Sequence, residues 1–141
     1  MSASEFLTRD HRTCDTEWVE VEAAADRSDL AATRAAFAKF NQAMQRHFGF
    51  EEQSLFPALE EATGMFGMGP TAVMRSEHEQ MRRVLATMAN ALETGDTATV
   101  LDHGDTLLML IQQHNLKEER ILYPMADARI GHAWADLQTR F

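Results

Sequence analysis

The chain has 141 residues, 45% hydrophobic and 25% charged, which are the proportions of an ordinary globular protein and exclude collagen-like, disordered and membrane-embedded classes. Its length suits one domain, residues 1–141, with one sizeable core. With 22 acidic against 13 basic residues the formal charge is −9, which repels phosphate backbones and anionic lipid surfaces, so neither nucleic acid nor a membrane is expected as a partner.

Only three prolines and seven glycines interrupt the chain. Between them apolar residues recur at three- and four-residue intervals with no strict alternation, which predicts an all-α fold. The first helix carries the stripe Leu7, His11, Cys14, Trp18, Val21 and Ala25. Ser28 is the predicted N-cap of a second helix that reaches about Glu61, with Phe40, Met44, His47, Glu51 and Leu55 facing inward. The segment from Gly64 to Gly69 breaks the pattern, and Pro70 opens a third helix to about Glu93 bearing Met74, His78, Met81, Leu85, Met88 and Leu92. No strand precedes that glycine-rich segment, so it is not a phosphate-binding loop.

After a turn at Gly95-Asp96, a fourth helix from about Thr97 to Ala128 presents Leu107, Ile111, His114, Glu118, either Ile121 or Leu122, and Met125. A short C-terminal helix is expected after Gly131. Long helices joined by short turns pack antiparallel, so the expected architecture is an up-down-up-down four-helix bundle made of two hairpins, about 4–62 and 70–128.

The histidines show that the hairpin is repeated: His78 follows His11 by 67 residues, and His114 follows His47 by the same interval. At that offset both hairpins contain His-x3-Glu-Glu-x2-Leu-aromatic-Pro, at His47 to Pro57 and at His114 to Pro124. Asp10 corresponds to Glu77, Leu7 to Met74 and Trp18 to Leu85. A pseudo-twofold axis follows. Counted from the turns at about 1.5 Å per residue, the four histidines lie roughly 24–30 Å up the bundle, in one layer. Glu51 and Glu118 lie one turn beyond His47 and His114, on the same faces.

A single histidine on such a stripe is ordinarily a packed core residue, but six ligand-type groups converging in register are costly to bury unpaired, at several kcal/mol each. His11, His47, Glu51, His78, His114 and Glu118 are therefore the expected metal ligands, with two carboxylates bridging two ions that each receive two imidazoles. Mixed oxygen and nitrogen donors suit iron or manganese better than calcium, and the lack of thiolates argues against structural zinc.

These residues resemble the pattern of the hemerythrin-like, or HHE cation-binding, family over about residues 7–125. The resemblance implies a four-helix bundle holding a non-haem centre of two iron ions with an oxo or hydroxo bridge, where manganese or zinc could substitute. It also implies a small-molecule partner such as O2, NO or peroxide. Oxygen-carrying members have a fifth histidine one turn before the third-helix ligand, where this chain has Met74, and a longer fourth-helix spacing. Open positions at both metals, and similarity to di-iron domains of the iron–sulfur cluster repair and nitric-oxide-response type, point to reaction or sensing rather than oxygen carriage.

Asp10 and Glu77 face neighbouring helices and are expected to orient imidazoles, to add ligands or to be solvated. Glu52 and Glu119 are expected beyond the metal contacts or in solvent. Cys14, the only cysteine, excludes an internal disulfide and is either inert packing or a redox partner. His103 lies roughly 16 Å below His114 and His132 in the tail, so neither is expected to bind the metals. Tyr123 is a candidate proton source, and Met65, Phe66, Met68 and Met74 are candidates for an apolar entrance. Met1 to Asp10 has neither the basic start nor the apolar run of a secretory signal, so the expected location is the cytoplasm.

Overall fold

The computed structural model describes residues 1–141. All of its regular elements are helical: α1 (Ala3–Asp26), α2 (Leu30–Phe50), a π-turn (Glu51–Leu55), α3 (Phe56–Thr63), α4 (Pro70–Glu93), α5 (Thr97–Lys117), a second π-turn (Glu118–Leu122), α6 (Tyr123–Ile130), a 3₁₀ turn (Gly131–Ala133) and α7 (Trp134–Gln138). Each π-turn joins its flanking helices into one long rod, so α1, α2–α3, α4 and α5–α6 form the four-helix bundle. Helix α1 packs on α2 and α5, and α4 packs on the same two helices from the other side.

The helix ends follow from local chemistry. Ser2 and Glu5 form a reciprocal capping box at the start of α1. Asp29 and Asp96, 67 residues apart, accept from the backbone N–H groups of Ala32 and Thr99 and cap α2 and α5. Asp29 thus takes the place predicted for Ser28, which instead closes α1 at a left-handed φ of 54°. The Asp29 N–H returns to the Ala24 carbonyl there. In the second hairpin the equivalent residue is Gly95, at φ 79°, with the Asp96 N–H returned to Ala91.

The stripes predicted for α1 and α4 are buried throughout. The bundle has two apolar cores. One contains Cys14, Trp18, Phe40, Met44, Phe48, Met81, Leu85 and Ile111; the other contains Leu7, Phe50, Leu55, Phe56, Met74, Leu122 and Tyr123. Along every rod the six ligand-type residues fall between the two, so they form a polar layer inside an apolar body. Helix α7 and the terminal Phe141 close the second core, with Phe6 and Phe50 edge-on to Trp134 and Phe141.

The π-turns depart from the uninterrupted helices expected from the sequence. In each, an N–H reaches back five residues, Phe56 to the Glu51 carbonyl and Tyr123 to that of Glu118. Proline follows immediately in both copies, and Pro57 has no N–H to continue the pattern to the Glu52 carbonyl. That carbonyl accepts from Arg75 instead.

Candidate metal centre

His11 on α1, His47 on α2, His78 on α4 and His114 on α5 are all buried, and Glu51 and Glu118, the first residues of the two π-turns, have no exposed surface. The structure brings these six predicted residues together. His11 and His47 meet with their Nε2 atoms 3.2 Å apart, and His78 and His114 do the same at 3.2 Å. Glu51 lies between the pairs, with Oε1 3.2 Å from His47 Nε2 and Oε2 3.2 Å from His78 Nε2. Glu118 Oε1 lies 3.2 Å from His11 Nε2 and 3.1 Å from His114 Nε2. Two half-sites, His11 with His47 and His78 with His114, thus share two carboxylates.

The outward nitrogen of every imidazole donates to a carboxylate. His47 Nδ1 reaches Asp10 at 2.8 Å, His114 reaches Glu77 at 3.0 Å, His11 reaches Glu119 at 2.9 Å and His78 reaches Glu52 at 2.7 Å. Each of these acids is the immediate chain neighbour of an inward ligand-type residue, and a step of about 100° round the helix turns it toward the adjacent rod. Of the alternatives open for Asp10, Glu77, Glu52 and Glu119, the structure selects orientation of the imidazoles. Cations hold the acids in turn: Arg12 on Glu119, Arg82 on Glu52, Lys117 on Glu77 and Arg46 near Asp10.

With each Nδ1–H committed outward, each neutral imidazole aims an Nε2 lone pair inward, where carboxylate oxygens are also only acceptors. Glu51 Oε2 and Glu118 Oε2 are fully buried with no hydrogen-bond partner. Such a convergence of acceptors fits cations, and two clusters have the spacing to hold one: Glu51, His78, His114 and Glu118, and His11, His47 and Glu118. Without a metal, protons answer the same charge. Burial depresses the His47 imidazole, but the Glu51 charge and the Asp10 hydrogen bond outweigh it and push its pKa up to about 10. His114 is raised against its burial by Glu118. Burial raises Glu52, but the His78 and Arg82 contacts prevail and bring it down to about 2.

Tyr123 enters the centre in a way that helical periodicity does not anticipate. Five residues at 3.6 per turn place it about 140° from Glu118. The π-turn brings the fifth residue back under the first, and the fully buried phenol reaches both carboxylates and both imidazoles of the first half-site. Burial first, then the charges of Glu118 and Glu51, hold its proton on well above the usual phenol range in the metal-free chain. The corresponding residue of the other hairpin is Phe56, stacked on His78 at 5.7 Å, with Phe48 stacked on the same ring at 4.2 Å.

Elsewhere, Cys14 packs in the first core, and burial with the nearby charge of Asp10 pushes its thiol up to about 12, which leaves it protonated and inert. His103 is half-buried outside the cluster and His132 is exposed. At the site end, Pro70, Val73, Met74, Lys117, Ile121 and Leu122 line an apolar cleft of about 200 Å3. Of the four residues considered for an entrance, only Met74 lies in its wall. Leu122, not Ile121, takes the inward position on the fourth rod.

Residues 2–126 match the model of the hemerythrin HHE cation binding domain. Among curated proteins, the iron–sulfur cluster repair protein YtfE of Enterobacter sp. (strain 638) is 29% identical over 111 residues, covering 70% of this chain and 50% of that protein. YtfE of Escherichia coli O81 (strain ED1a) is 29% identical over 94 residues, covering 61% of this chain and 43% of its own length. The chain therefore spans about half the length of the curated relatives it matches. No solved structure matches it. No helix is long and apolar enough to cross a membrane.

Proposed function

This chain belongs to the hemerythrin HHE cation binding family, and we propose that it is a non-haem di-iron protein that binds or reacts with a small oxidant: dioxygen, peroxide or nitric oxide. The observation that carries this reading is the pair of imidazole couples facing two buried glutamates, each with one oxygen that has no hydrogen-bond partner. His11 and His47 would hold one iron, His78 and His114 the other, with Glu51 and Glu118 between them. The ions would supply one-electron redox chemistry and Lewis acidity.

The chain's own residues supply the rest. Asp10, Glu77, Glu119 and Glu52 fix which imidazole nitrogen faces inward and raise its basicity. The two apolar cores keep bulk water from the polar layer. Met74, in the wall of the apolar cleft, stands where a fifth histidine would add a ligand and offers no nitrogen, so the metal of the second half-site would keep a coordination position for a diatomic or peroxide ligand.

Anaerobic reconstitution followed by metal analysis and an absorption spectrum after oxidation tests the proposal. About two irons per chain and near-ultraviolet bands of a bridged diferric pair are expected. Fewer than about one iron per chain would sink it. Stopped-flow mixing of the ferrous protein with dioxygen, peroxide and nitric oxide then ranks the substrates.

The iron–sulfur cluster repair for which the YtfE relatives are named favours a second reading, in which the chain is an iron donor for cluster repair. Rapid transfer of iron to an apo iron–sulfur protein, with no turnover of any of the three oxidants, would select it over the first.

A further inference from the structure

The hydrogen-bond distances round Tyr123 describe more than a proton donor. Its Oη lies 3.0 Å from His11 Nε2, 3.2 Å from His47 Nε2, 2.6 Å from Glu51 Oε1 and 3.1 Å from Glu118 Oε1. Three of the edges between those four atoms are equally short: His11 to His47 3.2 Å, His47 to Glu51 3.2 Å and His11 to Glu118 3.2 Å. A six-coordinate ion with bonds of about 2.1 Å sets adjacent donor atoms roughly 3.0 Å apart, and each vertex then has four such neighbours. The phenol oxygen has four such neighbours, two nitrogens and two carboxylate oxygens, at 2.6–3.2 Å, as an apical donor would.

We propose that Tyr123 is a further metal ligand, supplying its phenolate oxygen to the ion held by His11 and His47. It rests on the di-iron reading above and adds an asymmetry to it. On loading, the phenol O–H bond breaks, the oxygen–metal bond forms and the proton leaves to solvent, as other ligand protons do. Five vertices of the first half-site are then filled by protein. At the second half-site the corresponding residue, Phe56, is stacked on His78 and has no donor atom, so the iron that His78 and His114 would hold would keep that position for an exogenous small molecule.

Tyr123 is the only tyrosine in the chain, so a tyrosinate signal has one possible source. The iron-loaded, ferricyanide-oxidised protein is expected to show a broad visible absorption beside its near-ultraviolet bands, and excitation into it should enhance the ring modes of a coordinated phenolate in resonance Raman spectra. Tyr123→Phe should keep its iron and near-ultraviolet bands and lose both visible signatures. A wild-type protein that is iron-loaded and lacks phenolate modes overturns the ligand assignment and leaves the di-iron reading standing. A protein that takes up no iron overturns both. Should Tyr123→Phe fail to fold, the wild-type Raman spectrum alone decides.

Discussion

Above the imidazoles of His11 and His47 stands a phenol, while the imidazole of His78 has stacked phenyl rings from Phe56 and Phe48. The two half-sites are otherwise the same device, since each joins one histidine from either helix of its own hairpin and each imidazole is held outward by a carboxylate. Repetition thus builds the electrostatics of the proposed two-ion centre at little sequence cost, and one difference between equivalent positions, Tyr123 against Phe56, makes the two ends chemically unequal. Substitutions can test which features are shared and which are private to one half.

The largest effect is expected at the shared carboxylates. Glu51 spans the halves with both oxygens, and Glu118 does so with Oε1 alone. Glu51→Ala and Glu118→Ala should each empty the whole centre to less than about one metal per chain, whichever half is considered. Metal analysis checks this, and a variant that retains both ions would show that its carboxylate does not bridge.

Next come the carboxylates behind the imidazoles, where the halves diverge in degree. Asp10 is largely buried against His47, whereas Glu77 is more exposed and is shared between His114 and Lys117. Asp10→Ala should weaken metal binding by close to 100-fold and Glu77→Ala by nearer 10-fold, the range for removing a ligand's orienting partner. Competition with a chelator of known affinity measures both. Equal losses would mean that water compensates neither site, and the burial difference would then carry no weight.

The bundle, the repeat and the six inward residues were legible in the sequence because each depends on the 3.6-residue period and on a fixed 67-residue offset. The orienting roles of Glu52 and Glu119 were partly legible as the next residues round the helix. The place of Tyr123 was not, since periodicity puts it about 140° away from Glu118 and only the π-turn returns it to the site. A signal was nevertheless present: proline directly after the aromatic residue in both copies marks a place where regular helical hydrogen bonding must fail. Ser28 was misplaced for a related reason, because two adjacent capping residues, Ser28 and Asp29, satisfy the same preference and only the backbone angle separates them.

A smaller, structural contrast lies in the core that contains Trp18. Gly104 sits in the middle of α5, and a Cβ added there would fall 2.5 Å from the Trp18 ring. The corresponding residues of the other half are Phe37 and Leu85, so bulk is exchanged across the pseudo-twofold: large on α1 against none on α5, medium on α4 against large on α2. Gly104→Ala should cost about 1–3 kcal/mol through overpacking against the roughly 1 kcal/mol that alanine offers a helix, a net loss of up to about 2 kcal/mol. Denaturant unfolding reads this directly, with metal content unchanged.

The smallest effect belongs to the two hairpin turns, far from the metal layer. Ser28 and Gly95 close the same motif at φ 54° and 79°, yet a side chain in the left-handed region costs roughly 1–2 kcal/mol that glycine avoids. Glycine returns part of that advantage through its larger entropy in the unfolded chain, about 0.5–1 kcal/mol. Ser28→Gly should therefore stabilise the protein by about 0.5 kcal/mol, and Gly95→Ser should destabilise it by a similar amount. Paired thermal unfolding curves test the symmetry: if both substitutions destabilise, the Ser28 side chain makes a compensating interaction that the Gly95 turn does not need.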